Sequence, residues 1–176
     1  MTNAFLRMVF AALALVLACG AWAADRKDTK ISSGDRSFIT KAMKDDATEI
    51  ELGKIAQQNG GSAEVKQFGE HLVTDHSKAS AELKAIAGKL GYTPKNVEAD
   101  KGEVKKFSKL KGDKFDREFA QYMVKDHEKA IKLFEKQSQK GEAQELKQFA
   151  AKTLPGLQGH LKMARELKGQ DKPKKG

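Results

Sequence analysis

Three histidines and a glutamate stand where an apolar helical stripe would otherwise run unbroken, and their types suit metal ligation or a buried polar network. His76 and His127 sit in a repeated context: Phe68, Val73, Asp75, His76, Lys78 and Ala79 match Phe119, Val124, Asp126, His127, Lys129 and Ala130 at a shift of 51 positions. At helical spacing His76 shares a face with Leu72, Ala79 and Leu83, and His127 shares one with Met123, Ala130 and Ile131, so both imidazoles point inward. Glu49 lies on the face of Ala42, Leu52 and Ala56, and His160 lies with Leu157 and Leu161. Imidazole and carboxylate together bind zinc, copper, iron or manganese. A buried neutral imidazole also needs a partner for its N–H, which Asp75, Asp126 and Glu51 could supply in a purely structural network.

Two features weigh against a metal. No Glu-x-x-His occurs beyond the leader, so the usual paired-iron constellation of helical bundles is missing. Adjacent Asp75 and His76 also diverge by about 100° around a helix and cannot readily chelate one ion. The fourth histidine, His71, is expected on the solvent side. Nothing resembles a nucleophile with its base, a glycine-rich phosphate cradle or a cysteine redox pair.

The elements that must position these residues come from an older duplication. Residues 45 to 68 reappear at 126 to 149, shifted by 81 positions without a gap, each copy being a helix end, a glycine stop and the start of the next helix. Two hairpins give four helices, and only together can they bury all four apolar stripes. The fold class expected is all-α, a four-helix bundle of two duplicated hairpins. Helix one starts near Asp35 and buries Phe38, Ile39, Ala42, Met43, Ile50 and Leu52. Helix two is capped by Ser62 and runs to Gly91. Helix three is capped by Asp113, and helix four carries Pro155, which should kink it. Between the hairpins, Tyr92 to Gly112 is far longer than a tight turn needs and holds a short amphipathic segment at Val104, Phe107 and Leu110. It permits either an up-down arrangement or the crossover of ferritin-like folds. Only the crossover brings His160 level with Glu49.

The flanks read differently. Arg7, the apolar run Met8 to Ala18 and the small-residue site Ala21, Trp22, Ala23 form a secretory signal over residues 1–24, too short to span a bilayer at roughly 20 residues. The alternative is a lipoprotein box ending at Cys19, which would tether the domain to a membrane. Cys19 is the only cysteine, so the mature domain holds without a disulfide. A polar lead-in occupies 25–36, the helical domain 37–168 and a basic tail 169–176. The net charge of +9 favours anionic partners. For an exported chain these are envelope surfaces rather than nucleic acid. Most of the charge alternates in sign along helices, as in Glu128, Lys129, Lys132, Glu135 and Lys136, the pattern of a solvated face.

Phe38 to Glu51 with Leu52-Gly53, Glu64 to Phe68, Val73 to Lys78, Phe115-Asp116, Asp126-His127, Thr153-Leu154-Pro155 and His160-Leu161 together resemble the exported bacterial family called domain of unknown function 4142. The resemblance covers residues 37 to 168. It implies a ferritin-like bundle in the periplasm or at the envelope, with recurring polar positions at Glu49, Glu51, Asp75, His76, Asp126, His127 and His160. It implies no settled activity, and likeness to true ferritins at fold level does not lend iron oxidation. The leading expectation is therefore a non-enzymatic binding or stress-accessory bundle. One alternative is a divalent-metal site, with or without redox chemistry, at Glu49, His76, His127 and His160. The other is an electrostatic adaptor on anionic envelope surfaces. Oligomeric state is not legible.

Overall fold

The computed structural model describes residues 31–170, so the expected signal segment with Cys19 and the end of the basic tail lie outside the described residues. All regular structure within that range is helical: α1 (Ser33–Asn59), α2 (Ala63–Lys89), α3 (Lys101–Ser108), α4 (Gly112–Lys140) and α5 (Gln144–Gln170). There are five helices rather than four. The fifth, α3, is the amphipathic segment of the long connection, grown into a helix because Asp100 caps its first amides and Phe107 is fully buried.

The long helices pair as α1 with α2 and α4 with α5, as the duplication implies. The connection decides how the pairs face. Tyr92 meets Thr40 near the start of α1 at 3.0 Å, the Asp100 amide donates to Thr48 Oγ1 at 2.9 Å, and Gly60 and Gly112 form a backbone bridge at the far end. The chain thus climbs back along α1, and α4 begins beside the α1–α2 turn. That is the crossover order, with α4 running antiparallel to α1.

Each hairpin closes the other. Asp116, near the start of α4, accepts the amides of Gly61 and Ser62 at 2.8 Å each. Asp35, in the first turn of α1, accepts the amides of Glu142 and Ala143 at 3.3 and 2.9 Å and a 2.7 Å bond from Gln137. Both acids and both amide pairs are related by the same 81-residue shift, so the duplication extends to residues the local repeat did not reveal. Within the first hairpin, Gly53 and Gly69 let α1 and α2 touch, since a Cβ on either would come within 2.7 Å of the other's carbonyl oxygen.

Several expected boundaries move. α1 is capped by Ser32 and begins at Ser33, inside the expected lead-in, and α5 continues past 168. Asp113 does not cap α4: the cap position is Lys111, which offers no side-chain bond, because Gly112 turns the chain with φ +58° instead. Ile50 is only half-buried, because Glu49 takes the fully inward position beside it.

The core is divided. One apolar cluster holds Phe38, Ile39, Met43, Leu83, Phe134 and Phe149, and another holds Leu52, Phe68, Leu72, Phe115, Phe119 and Met123. Along every long helix a polar residue falls between them: Glu49 between Met43 and Leu52, His76 between Leu72 and Leu83, His127 between Val124 and Ala130, His160 between Leu157 and Leu161.

Candidate metal centre

These four residues form one buried layer across the middle of the molecule. Their exposures are 2% for Glu49, 5% for His76, 0% for His127 and 4% for His160. The ring centroids of His76 and His127 are 5.9 Å apart, those of His76 and His160 5.4 Å, and those of His127 and His160 5.3 Å. One donor nitrogen from each ring lies within 4.8 Å of the other two. Phe68 packs against both His127 and His160 and closes one side.

Every ring is hydrogen-bonded through one nitrogen, and the other is bare on His127 and His160 and faces Glu49 on His76. His76 Nδ1 bonds Asp46 Oδ1 at 2.8 Å, His127 Nδ1–H donates to the Met123 carbonyl at 3.0 Å, and His160 Nε2 bonds Asp75 Oδ2 at 3.1 Å. The remaining atoms, His76 Nε2, His127 Nε2 and His160 Nδ1, make no hydrogen bond, and neither does Glu49 Oε2. Glu49 Oε2 does approach His76 Nε2 to 2.5 Å, an ion pair between the carboxylate and the protonated ring. Among the described residues five buried side-chain polar atoms lack a hydrogen bond, and four of them are these, His127 Nε2 and His160 Nδ1 having no ion-pair contact either. Orphans of this kind are expensive, at roughly 1–3 kcal/mol each.

Charge is distributed unevenly. Burial pushes the His76 pKa down, but Glu49 and Asp46 outweigh it and hold the ring protonated, well above its ordinary range. Burial and the neighbouring charges keep His160 neutral, with a pKa down at about 4, and His127 is lowered too, chiefly by burial. Burial opposes the Glu49 charge, yet the imidazoles of His127 and His76 hold it below the usual carboxylate range. Behind it, burial and a hydrogen bond shared with Glu49 raise Asp126 to about 9, so Asp126 keeps its proton at neutral pH. Burial, and then the charges of Glu49 and Asp46, raise Asp45 to about 6.

The expected site residues therefore divide. Glu49, His76, His127 and His160 come together as the crossover arrangement requires. The buried network expected of Asp75, Asp126 and Glu51 needs correction. Asp75 is about half-exposed and reaches inward only to orient His160, and Glu51 pairs with Lys54 at the surface. Both lie about 100° from their inward neighbours, which places them on the flank. Asp126 is half-buried and does join Glu49. Sequence reasoning missed Asp46, which is buried and orients His76. The available signal was the repeat, in which Asp46 holds the position of His127. His71 is exposed, as expected.

A cavity of about 410 Å³ opens onto this layer from the side of α2 and α5, lined among others by Glu49, His76, Ala79, Gly156 and His160.

The profile of the family described as "Domain of unknown function (DUF4142)" matches residues 21–167. This chain belongs to the DUF4142 family. No curated protein matches it. Among solved structures, the DUF4142 chain is similar to a DUF305 fragment from Deinococcus radiodurans, at 15% identity and TM-score 0.71 over 80% of this chain and 98% of that one. It is also similar to CopM in the Cu(I)-bound form, at 19% identity and TM-score 0.68 over 79% and 98%, and to CopM in the Cu(II)-bound form, at 17% and 0.67 over 77% and 96%. At these identities the likeness is one of fold.

Proposed function

We propose that this DUF4142 protein is an exported, ferritin-like bundle of four long helices that binds one first-row transition-metal ion between Glu49, His76, His127 and His160. The observation that carries the reading is the cluster of three buried imidazoles around Glu49, each fixed through one nitrogen, with His127 Nε2 and His160 Nδ1 left without a hydrogen bond and His76 Nε2 facing only Glu49 Oε2. A network built only to align helices would give His127 Nε2 and His160 Nδ1 partners too, as it gives His76 Nε2 the Glu49 carboxylate. A metal ligand instead needs a bare nitrogen aimed inward and an acceptor behind it, which Asp46, the Met123 carbonyl and Asp75 provide. The missing Glu-x-x-His pairs argue against a carboxylate-rich di-iron centre but not against a mononuclear, nitrogen-rich one.

Three imidazoles and one carboxylate suit copper(II) or zinc, and copper(II) binds most tightly in the divalent series. CopM, similar in fold and seen with Cu(I) and with Cu(II), makes copper the first ion to test. Donors on one ion stand at most about 4 Å apart when each bond is about 2.0–2.1 Å. Three nitrogens on one ion at tetrahedral angles stand about 3.4 Å apart, so nitrogens within 4.8 Å need to draw in by up to about 1.5 Å. Binding would also displace the proton on His76, so affinity rises with pH.

Equilibrium titration of the untagged protein with copper(II) and zinc should give one ion per chain. His127→Ala and His160→Ala should each weaken uptake by at least about 100-fold, and His71→Ala should leave it unchanged. An untagged protein that takes up neither ion at micromolar concentration would sink the proposal.

A further inference from the structure

We propose that the cavity beside the centre is a binding site for a small, neutral aromatic molecule that brings one donor atom to the metal. The inference rests on the metal reading above and adds a ligand class to it. The cavity, about 410 Å³, lies within the range of small-molecule sites. It is lined by Glu49, His76 and His160 but not by His127, so it opens on one face of the donor set. Phe68, which does not line the cavity, packs against His127 and His160.

The walls select the body of the ligand. Phe134 and Phe149, with ring centroids 6.0 Å apart and tilted at 44°, stand beside Ala42, Ala79 and Leu157. Flat apolar molecules gain both area burial and ring-edge contacts there. The floor selects its head. Five carboxylates line the cavity, Asp45, Asp46, Glu49, Asp75 and Glu82, against two cations, Lys78 and Lys152, and this excess disfavours an anion, while a bound metal ion disfavours a cation. A neutral nitrogen or hydroxyl donor on an aromatic ring meets both conditions.

Gly156 keeps the space open. It lies on the α5 face of Thr153 and His160, lines the cavity, and a Cβ built there meets nothing within 4 Å. Ala79, one turn beyond His76, does the same from α2. Glu82 and Lys152 pair at 2.9 Å on the exposed rim and tie α2 to α5.

The test uses the copper(II)-loaded full chain, with 4-phenylimidazole and plain imidazole as probes and the visible ligand-field band and electron paramagnetic resonance as readouts. Both ligands should shift the spectra. The phenyl compound should saturate at concentrations at least about tenfold lower, from the apolar surface its ring buries. Gly156→Phe and Ala79→Phe, made separately, should bind copper with unchanged stoichiometry and lose that preference. A parent that takes up no copper overturns the metal reading and this inference together. A copper-loaded parent blind to both ligands, equal affinity for the two, or a preference that survives in both variants overturns this inference alone.

Discussion

His127 and His160 reach the centre as neutral rings, and each keeps one lone pair unshared because the other nitrogen already serves an acceptor. Asp46 does the corresponding work for His76 at 2.8 Å. Asp46→Ala should therefore leave one ion bound per chain but lower its affinity about 10–100-fold in competition titrations, the usual effect of losing an orienting carboxylate. Proton linkage gives a second expectation at this scale, for the metal-free protein. The folded-state pKa of His160 lies at about 4, below the ordinary value of 6.5. Between those values the unfolded chain binds a proton that the folded one does not, so stability rises with pH across that window and is lost as pH falls. The His160 contribution to that loss should approach about 3 kcal/mol below pH 4. Denaturant melts from pH 7 to 4 should be flatter for His160→Leu than for the parent. An unchanged slope would mean the ring is protonated in both states. At this scale all four candidate ligands were legible in the sequence, since each interrupts an apolar stripe. It concealed Asp46, whose role depends on which helix lies opposite, and it overstated Asp75 and Glu51, whose types are right but whose angles face outward.

The helices stand where they do because turns and caps are exchanged between hairpins. Asp116 holds the first turn and Asp35 the second, each through two backbone amides. Asp116→Ala should cost about 1–3 kcal/mol in chemical denaturation. Asp35→Ala should cost more, because Asp35 is buried and its loss also strands Gln137. Equal, negligible effects would mean that water replaces both carboxylates without loss. Helix existence and hairpin punctuation were legible from periodicity and glycine stops. The connection was not, because its path is set by single contacts of Tyr92 with Thr40 and Asp100 with Thr48, which no local pattern announces. Asp113 was misread as a cap for a related reason: it has the right type, but the positive φ of Gly112 starts the helix two residues earlier.

Taken whole, the molecule is a symmetric scaffold filled asymmetrically. The 81-residue shift maps Asp35 to Asp116, Asp45 to Asp126 and Asp46 to His127, yet it maps Glu49 to Ala130, His76 to Leu157 and Ala79 to His160. The donor layer thus arises where the two halves have diverged, and it lies between two apolar clusters that could otherwise have merged. The duplication made the fold readable, while the crossover, which the sequence left open, makes the layer converge. An ion held by Glu49 on α1, His76 on α2, His127 on α4 and His160 on α5 would link all four long helices. The most direct measurement is pulsed electron paramagnetic resonance on the protein loaded with one equivalent of copper(II), counting coordinated imidazoles from their nitrogen couplings. Three imidazoles in the parent, two in His160→Ala and three in His71→Ala are the predicted result. Fewer than two in the parent, or a count that follows His71 instead of His160, would contradict the account.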